Sequence, residues 1–192
     1  MGKETNYQIL INRENKIPEG FADTVELVEV ENAEGSRFLV EKKTYAAFLK
    51  LQADIRENHG LDIELLNSYR SLEMQQAAFD NYLHKFGRDY AEKYAAYPGC
   101  SEHHTGFAID VSFLQDGKLT HGAQELLELD DLFRVVQKKL PRYGFLLRYP
   151  KGKEAITGIN YEPWHYRYID DPVIAREITE RGICFEEYWQ TR

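Results

Sequence analysis

The first forty positions of the chain alternate apolar and polar residues in the manner of short β-strands. Residues 6–12 and 24–30 each fit a strand, and the turn residues 33–36 lead into a third apolar run at 37–40. Two such runs joined by a short turn predict a hairpin. Residues 1–42 are therefore expected to form an extension of strands and a hairpin.

From Lys43 onward the apolar spacing becomes helical. It continues to the stop signal at His59-Gly60, and a buried strand is expected at 61–66. Ser71 is a good N-cap for a helix that reaches Phe86. The same reasoning predicts helices over 89–96, 124–140 and 173–181, and strands over 107–113, 144–148 and 161–168.

The order of these elements predicts the fold class. Strands and helices are mixed without strict β–α–β alternation, which favours an α+β fold with a small central antiparallel sheet and flanking helices. No repeat or Ser/Gly-rich linker divides the chain. We therefore expect a single domain over residues 1–192, in which 43–192 form the core and 1–42 the N-terminal extension.

Composition narrows the classes of protein. Hydrophobic residues make up 43% of the 192 positions, and 13 Tyr and 10 Phe need a packed core, which excludes a disordered chain. A net charge of −8 argues against a nucleic-acid binder that works by neutralising phosphates. Two cysteines, Cys100 and Cys184, cannot build a disulfide scaffold or a Cys-rich zinc site.

Targeting signals are absent from the sequence. It has no apolar run long enough for a signal peptide or a membrane span. We therefore expect a cytoplasmic protein if the chain is complete, and otherwise the trimmed soluble domain of an exported protein. The oligomeric state is not predicted.

Candidate chemistry lies in two histidine-containing segments, residues 101–110 and 162–165. A catalytic zinc site takes three protein ligands from His and Asp or Glu, and one position stays open for water. His103, Asp110 and His165 would supply such a set, and Glu162 would remain as a general base. A single His is usually a surface or core residue, but the combined pattern favours a metal site.

In motif order and spacing, the chain resembles the zinc D-alanyl-D-alanine carboxypeptidases of the VanY and VanXY type and the related L,D-carboxypeptidases of peptidoglycan. The resemblance runs from about Lys43 to the end. It is carried by 68–71 (SYRS) with Gln75, 98–103 (PGCSEH), 106–110 (GFAID), 143–145 (YGF), 148–150 (RYP), 157–158 (TG) and 162–168 (EPWHYRY). The family often has Gly where Ser68 stands, a departure that removes no chemical group.

This resemblance implies a single-domain zinc peptidase fold of the LAS type and a role for each motif residue. His103, Asp110 and His165 would bind one Zn²⁺ per chain, and Glu162 would activate the zinc-bound water that attacks the scissile carbonyl. Four further residues would bind substrate: Arg70, Gln75 and Ser101 at the terminal carboxylate, and Trp164 as a wall of the pocket. An Arg fork suits a free α-carboxylate because it binds both oxygens.

Strand geometry raises a difficulty for both motifs. Glu162 and His165 are three residues apart, and His103 and Asp110 are seven apart, so along regular strands each pair would face opposite sides. We expect an irregularity at Pro163 and a bend near Thr105-Gly106.

Several neighbours of the motifs have plainer interpretations. His104 is expected beside the site rather than among the ligands, and Cys100 is expected only to pack. Arg148 is expected to pair with a buried acid rather than to touch substrate.

The expected substrate is a peptidoglycan stem peptide or a D-Ala-terminated precursor, from which a C-terminal D-alanine is removed. D,D- and L,D-specificity both stay open, and so does the choice between the D-Ala-D-Ala dipeptide and longer stem peptides. The non-enzymatic alternative is a binding module that recognises cell-wall peptide without cleaving it.

Overall fold

The computed structural model describes residues 5–192, and its centre is an antiparallel sheet. The strands lie in the order β3-β4-β7-β6, and the short β5 pairs with the far end of β4. A separate hairpin pairs β1 with β2. The strands are β1 (Leu27–Glu31), β2 (Arg37–Glu41), β3 (Ile63–Asn67), β4 (Ala108–Gln115), β5 (Lys118–Leu119), β6 (Phe145–Leu147) and β7 (His165–Tyr168).

Helices cover the sheet and carry the loops that surround the site. They are α1 (Lys42–His59), α2 (Leu72–Phe86), α3 (Arg88–Tyr94), α4 (Ala123–Glu128), α5 (Asp130–Gln137), α6 (Glu154–Thr157), α7 (Pro172–Arg181) and α8 (Phe185–Trp189). Short 3₁₀ turns lie at Phe21–Thr24, Glu102–Thr105 and Leu140–Tyr143. Ser71 caps α2 by accepting a hydrogen bond from the Met74 backbone N–H, as expected.

The main core lies between the sheet and α1. Phe48, Leu51 and Ile55 on α1 pack against strand residues such as Ile63 and Val111, and all five are buried. A second buried cluster joins β6 to α7 and α8. The observed fold is the expected α+β arrangement of an antiparallel sheet with flanking helices.

The N-terminal segment differs from the prediction. Residues 6–12 form no strand in the described chain, and their apolar side chains pack instead: Leu10 and Ile11 are buried. The backbone carbonyls of Tyr7 and Ile9 accept hydrogen bonds from the Arg167 guanidinium rather than from a neighbouring strand. The part of the extension at residues 1–4 lies outside the described residues.

Two other boundaries were also predicted wrongly, and three short elements were not predicted. The helix expected over 124–140 is divided at Leu129, whose backbone leaves the helical region (φ −92°, ψ 15°). The strand expected over 161–168 begins only at His165, because a turn precedes it. Helices α6 and α8 and strand β5 are too short to give a clear periodic signal.

No helix among residues 5–192 is both long enough and apolar enough to cross a membrane.

Candidate active site

The three predicted metal ligands converge at one point where the two inner strands of the sheet pair. Strands β4 and β7 pair with Asp110 directly opposite His165, and the 3₁₀ turn before β4 brings His103 alongside them. Asp110 Oδ1 lies 2.9 Å from His165 Nδ1, and Asp110 Oδ2 lies 3.3 Å from His103 Nε2. One donor atom from each residue lies within 4.8 Å of the other two, so the three side chains form a candidate metal site.

The protonation state of His103 suits a metal ligand. Its Nδ1 lies 2.6 Å from the Ser68 backbone carbonyl, which can only accept, so Nδ1 carries the proton and Nε2 faces Asp110 with a free lone pair. Burial lowers the pKa of His103 to about 4, and the nearby Arg70 guanidinium adds to the shift. The imidazole is therefore neutral near pH 7, which is the form that binds metals.

Asp110 supplies the negative charge of the group. Burial by itself would raise the pKa of its carboxyl, but the imidazoles of His103 and His165 hold that pKa well below its usual range. Two imidazoles and one ionised carboxylate are the donor set of an open zinc site. The residues present therefore fit a zinc ion.

A tight turn brings Glu162 to the same point. The His165 backbone N–H donates to the Glu162 carbonyl at 3.3 Å, and Pro163 occupies the turn between them. As a result, Glu162 Oε2 lies 3.6 Å from His165 Nδ1 although the residues are three apart. The irregularity predicted at Pro163 is a turn that ends before the strand starts.

The second predicted bend lies at Gly106, between His103 and Asp110. Gly106 has φ 74°, a left-handed conformation that favours glycine. A Cβ at this position would lie 2.9 Å from a Leu27 methyl and 3.2 Å from the Glu41 backbone nitrogen. The bend therefore depends on glycine for both its dihedral angle and its space.

The Glu162 carboxyl is buried and lies near charges of both signs. Burial raises the pKa of its carboxyl well above the ordinary value, and the Asp110 carboxylate adds to the shift while the Arg70 guanidinium opposes it. A bound cation would lower this pKa again.

Arg70 lies across the cavity, where Gln75 holds it in place. Its Nη1 donates to Gln75 Oε1 at 2.9 Å, and Gln75 Nε2 donates to the Ala96 carbonyl at 2.7 Å. The Gln75 amide thus orients the guanidinium. Arg70 Nε is buried and has no hydrogen-bond partner within residues 5–192, and the nearest carboxylate oxygen, on Asp110, is 3.7 Å from Nη2.

His104 connects the two loops around Arg70. Its Nε2 accepts from the Gly99 backbone N–H at 3.0 Å, so its Nδ1 carries the proton that is donated to the Arg70 carbonyl at 2.8 Å. His104 is therefore beside the site and outside the candidate ligand set, in line with the sequence-based expectation. Cys100 is buried and free, and it is also outside that set.

The eight predicted site residues all line one small cavity of about 80 Å³. These are Arg70, Gln75, Ser101, His103, Asp110, Glu162, Trp164 and His165. The same cavity is lined by residues to which the sequence analysis assigned no role, among them Tyr82, Tyr94, Tyr149 and Ile159. The sequence indicated Tyr82 only as an apolar position on the helix α2. Helical spacing shows which residues share a face, but it does not show what that face packs against.

A fully buried charge network lies beside the metal ligands. Glu102 accepts from Arg167 Nη1 at 2.6 Å and lies 2.7 Å from Arg148 Nε, and Arg148 also binds Glu186 through both terminal nitrogens. The expected pairing of Arg148 with a buried acid is confirmed. We call Glu102, Arg148, Arg167 and Glu186 the charge network.

Comparison with known proteins identifies the family. The family model described as VanY, D-alanyl-D-alanine carboxypeptidase, matches residues 37–171. A D-alanyl-D-alanine carboxypeptidase of Enterococcus faecalis is 32% identical over 95% of this chain and 65% of its own length. The chain spans about two thirds of the length of the curated relatives that it matches along most of its length.

Solved structures of other proteins share the fold of this protein over almost its whole chain. VanYB in complex with D-alanine-D-alanine has a TM-score of 0.81 at 31% identity, covering 97% of this chain and 98% of the other. A mutant of the D,D-pentapeptidase VanY in complex with Zn(II) has a TM-score of 0.79 at 31% identity and covers 95% and 98%. The L,D-carboxypeptidase LdcB has a TM-score of 0.79 at 32% identity and covers 97% and 86%.

The predicted fold and the predicted family resemblance are thus confirmed. Because the family model matches most of the chain, the inference does not depend on any single motif. The chain belongs to the VanY D-alanyl-D-alanine carboxypeptidase family.

Proposed function

We propose that this protein is a zinc-dependent carboxypeptidase that removes the C-terminal D-alanine from peptidoglycan stem peptides or their precursors. One observation carries the proposal. His103, Asp110 and His165 converge beside Glu162, and Arg70 faces the same cavity with an unpartnered Nε. A metal site, a base and a carboxylate receptor are the parts that such a hydrolysis needs.

One Zn²⁺ per chain would be held by His103 Nε2, Asp110 and His165 Nδ1. When bound, zinc supplies a Lewis acid that polarises a carbonyl oxygen and makes water more acidic. The Ser68 carbonyl keeps His103 in the tautomer that this requires. Ser68 is itself fixed, because its hydroxyl donates to the Ala108 carbonyl at 2.9 Å.

Glu162 accepts a proton from the attacking water and passes it to the leaving amine. Its buried carboxylate lies 3.6 Å from His165 Nδ1, close enough to the candidate metal site to act as a general base there. Glu162 and His165 lie at the two ends of one turn. The turn therefore fixes the distance between the base and the metal site.

Arg70 binds the terminal carboxylate of the substrate, and Gln75 keeps the guanidinium pointed at it. Ser101 lies in the same cavity as a further polar contact, and Trp164 forms a wall. The small volume of the cavity suits a residue with a short side chain, such as alanine.

The stereochemistry of the scissile bond is the point that the family leaves open. Both a D,D-pentapeptidase and an L,D-carboxypeptidase match this chain with the same TM-score, 0.79. The test of function must therefore offer both kinds of bond.

The experiment is mass spectrometry of synthetic stem peptides after incubation with zinc-loaded protein. A pentapeptide that ends in D-Ala-D-Ala and a tetrapeptide that ends in L-Lys-D-Ala are compared, each with and without a chelator. We expect the loss of one alanine from at least one peptide, and we expect the chelator to stop it. A protein that binds these peptides but never shortens them would be the non-catalytic binding module, and the proposal would be wrong.

A further inference from the structure

The turn that carries Glu162 is anchored by backbone hydrogen bonds on both sides of its proline. The Glu162 backbone N–H donates to the Tyr149 carbonyl at 3.2 Å. The Trp164 carbonyl accepts from the Val111 backbone N–H at 3.1 Å. We call residues 162–165 the base turn.

Pro163, in the middle of the base turn, is anchored by a side chain instead. It has no N–H to donate, and its carbonyl accepts from Gln137 Nε2 at 3.2 Å. A carbonyl can only accept, so the amide nitrogen of Gln137, and not its oxygen, faces Pro163. In the part of the chain that the structure describes, Gln137 is the only hydrogen-bond partner of Pro163.

The same helix also binds the residue that precedes the base. Asp130 is the first residue of α5 and Gln137 is the last. Asp130 Oδ1 accepts from the Tyr161 hydroxyl at 2.5 Å. Seven positions are about two helical turns at roughly 3.6 residues per turn, so Asp130 and Gln137 lie on one face of α5. That face therefore contacts the residues immediately before and immediately after Glu162.

Helix α5 is itself fixed to the sheet. Phe133 and Val136 on α5 are fully buried in the main core. The Phe133 ring packs on Phe113 of β4, with the ring centroids 4.8 Å apart. Strand β4 also carries Asp110. The helix therefore connects the strand of a candidate metal ligand with the turn of the base.

These contacts act on the base from outside the cavity. Neither Asp130 nor Gln137 is among the residues that line it. A general base must lie within hydrogen-bond reach of the proton that it takes, so a small shift of its backbone slows proton transfer.

We infer that Gln137 and Asp130 are positioning residues for the reaction: through Pro163 and Tyr161, they hold the Glu162 carboxylate at the candidate metal site. This inference rests on the proposed function. Loss of the Gln137 amide leaves the Pro163 peptide without a partner in the described chain, so the base turn gains freedom to move.

The test removes the two contacts with little change in side-chain size. Gln137→Met keeps the length of the side chain and removes the donor, whereas Gln137→Lys keeps a donor of similar reach. Tyr161→Phe removes the contact at the Asp130 end. Gln76→Met is the matched control, because it makes the same substitution at an exposed glutamine, whose amide donates to Asp80 on α2.

The kinetic measurement separates kcat from KM. We expect Gln137→Met to lower kcat about tenfold and to change KM less than about twofold, because a displaced base slows the chemical step and leaves the Arg70 contact intact. Tyr161→Phe should lower kcat about threefold, the usual scale for one neutral hydrogen bond. Gln137→Lys should recover most of the lost turnover, and Gln76→Met should match the wild type.

Three kinetic outcomes would overturn the inference. They are a wild-type kcat in Gln137→Met, a loss in Gln137→Met that lies entirely in KM, and a Gln137→Lys protein as slow as Gln137→Met.

A spectroscopic measurement separates this inference from the proposed function. The chain has two tryptophans, Trp164 in the base turn and Trp189 on α8, so zinc-free protein with isotope-labelled tryptophan gives two indole N–H signals in an NMR spectrum. Trp189→Phe assigns them. Gln137→Met should broaden or split the Trp164 signal, as motion on the μs–ms timescale does, and leave the Trp189 signal unchanged.

That result would support the positioning role even if neither peptide is hydrolysed. An unchanged Trp164 signal in Gln137→Met would rule the role out even if hydrolysis is observed.

Discussion

Two buried polar clusters lie side by side in this protein and have different properties. One is the group at the cavity: His103, Asp110, Glu162, His165 and Arg70. The other is the charge network. They are interleaved in sequence, since Glu102 precedes His103 and Arg167 follows His165 by two positions.

In the charge network, opposite charges lie between 2.6 and 2.9 Å apart, and both arginines are almost completely excluded from solvent. Its arginines also bind backbone carbonyls of the N-terminal segment, and Glu186 belongs to α8. The network therefore joins the two ends of the chain to the strands that carry the candidate metal ligands.

In the cavity, by contrast, the polar groups line an open space. Arg70 Nε and His165 Nε2 are buried there without a hydrogen bond within residues 5–192. In the network, Glu102 Oε2 and Arg148 Nε also lack one, although Arg148 Nε lies 2.7 Å from the Glu102 carboxylate. A buried polar group without a partner costs stability, and at the cavity a ligand can supply the missing partner. The same residue types thus form a scaffold where ion pairs enclose them and a candidate active site where they line a cavity.

Removing a metal ligand should have the largest effect. His165→Ala and His103→Ala should abolish zinc retention after dialysis and, with it, all activity, because a site with two ligands holds the ion weakly. Metal analysis by mass spectrometry measures zinc retention, and a peptide-cleavage assay measures activity. His121→Ala is the control, since His121 is exposed and pairs only with Glu34. Full zinc occupancy in His165→Ala would remove His165 from the ligand set.

Breaking the charge network should lower the free energy of unfolding. Glu102→Gln leaves Arg167 without a carboxylate partner in the described chain, and losing one member of a buried pair costs about 3–5 kcal/mol. Urea unfolding of the metal-free protein measures the free energy of unfolding. The exposed pair Arg37–Glu31 provides the control: Glu31→Gln should cost less than about 1 kcal/mol. Equal losses would mean that the network contributes no more than a surface pair.

Removing the base should affect turnover alone. Glu162→Gln keeps the shape and loses the basicity, so kcat should fall at least about a hundredfold. Zinc retention and the urea midpoint should stay near those of the control Glu177→Gln, which removes a surface carboxylate on α7. An active Glu162→Gln protein would show that another group takes the proton.

Changing the carboxylate contact should have the smallest effect of the four. Amidating the substrate terminus removes its ion pair with Arg70, and cleavage should fall at least about tenfold, since roughly each 1.4 kcal/mol is tenfold. Arg70→Lys should also lose activity, because an ammonium cannot reproduce the planar fork or the hydrogen bond that Gln75 accepts. Equal cleavage of acid and amide would indicate an endopeptidase.

Much of the fold could be predicted because its signals are local. The cap at Ser71, the stop at Gly60 and the glycine bend at Gly106 each depend on the dihedral angles and hydrogen bonds of a few consecutive residues. The boundaries that failed depend on distant partners. Residues 6–12 have a strand-like pattern. In the described chain, however, the backbone carbonyls of Tyr7 and Ile9 accept hydrogen bonds from the side chain of Arg167, which is far away in sequence.

The candidate site also has features that the sequence could predict and features that it could not. The sequence by itself predicted the candidate donor set His103, Asp110 and His165, and Glu162 as the base, because these residues occur in motifs whose residue types and spacing suit only a few kinds of chemistry. It also determined that Arg70 could receive a carboxylate.

Only the tertiary structure decided how those groups are held. Asp110 meets His165 because β4 and β7 pair in one register, and Gln75 turns its oxygen toward Arg70 because the Ala96 carbonyl binds its nitrogen. The pairing of Glu102 with two arginines and the placement of Tyr82 and Tyr94 at the cavity likewise join residues far apart in the chain. Sequence patterns report local periodicity, whereas the contacts between distant residues are settled by packing.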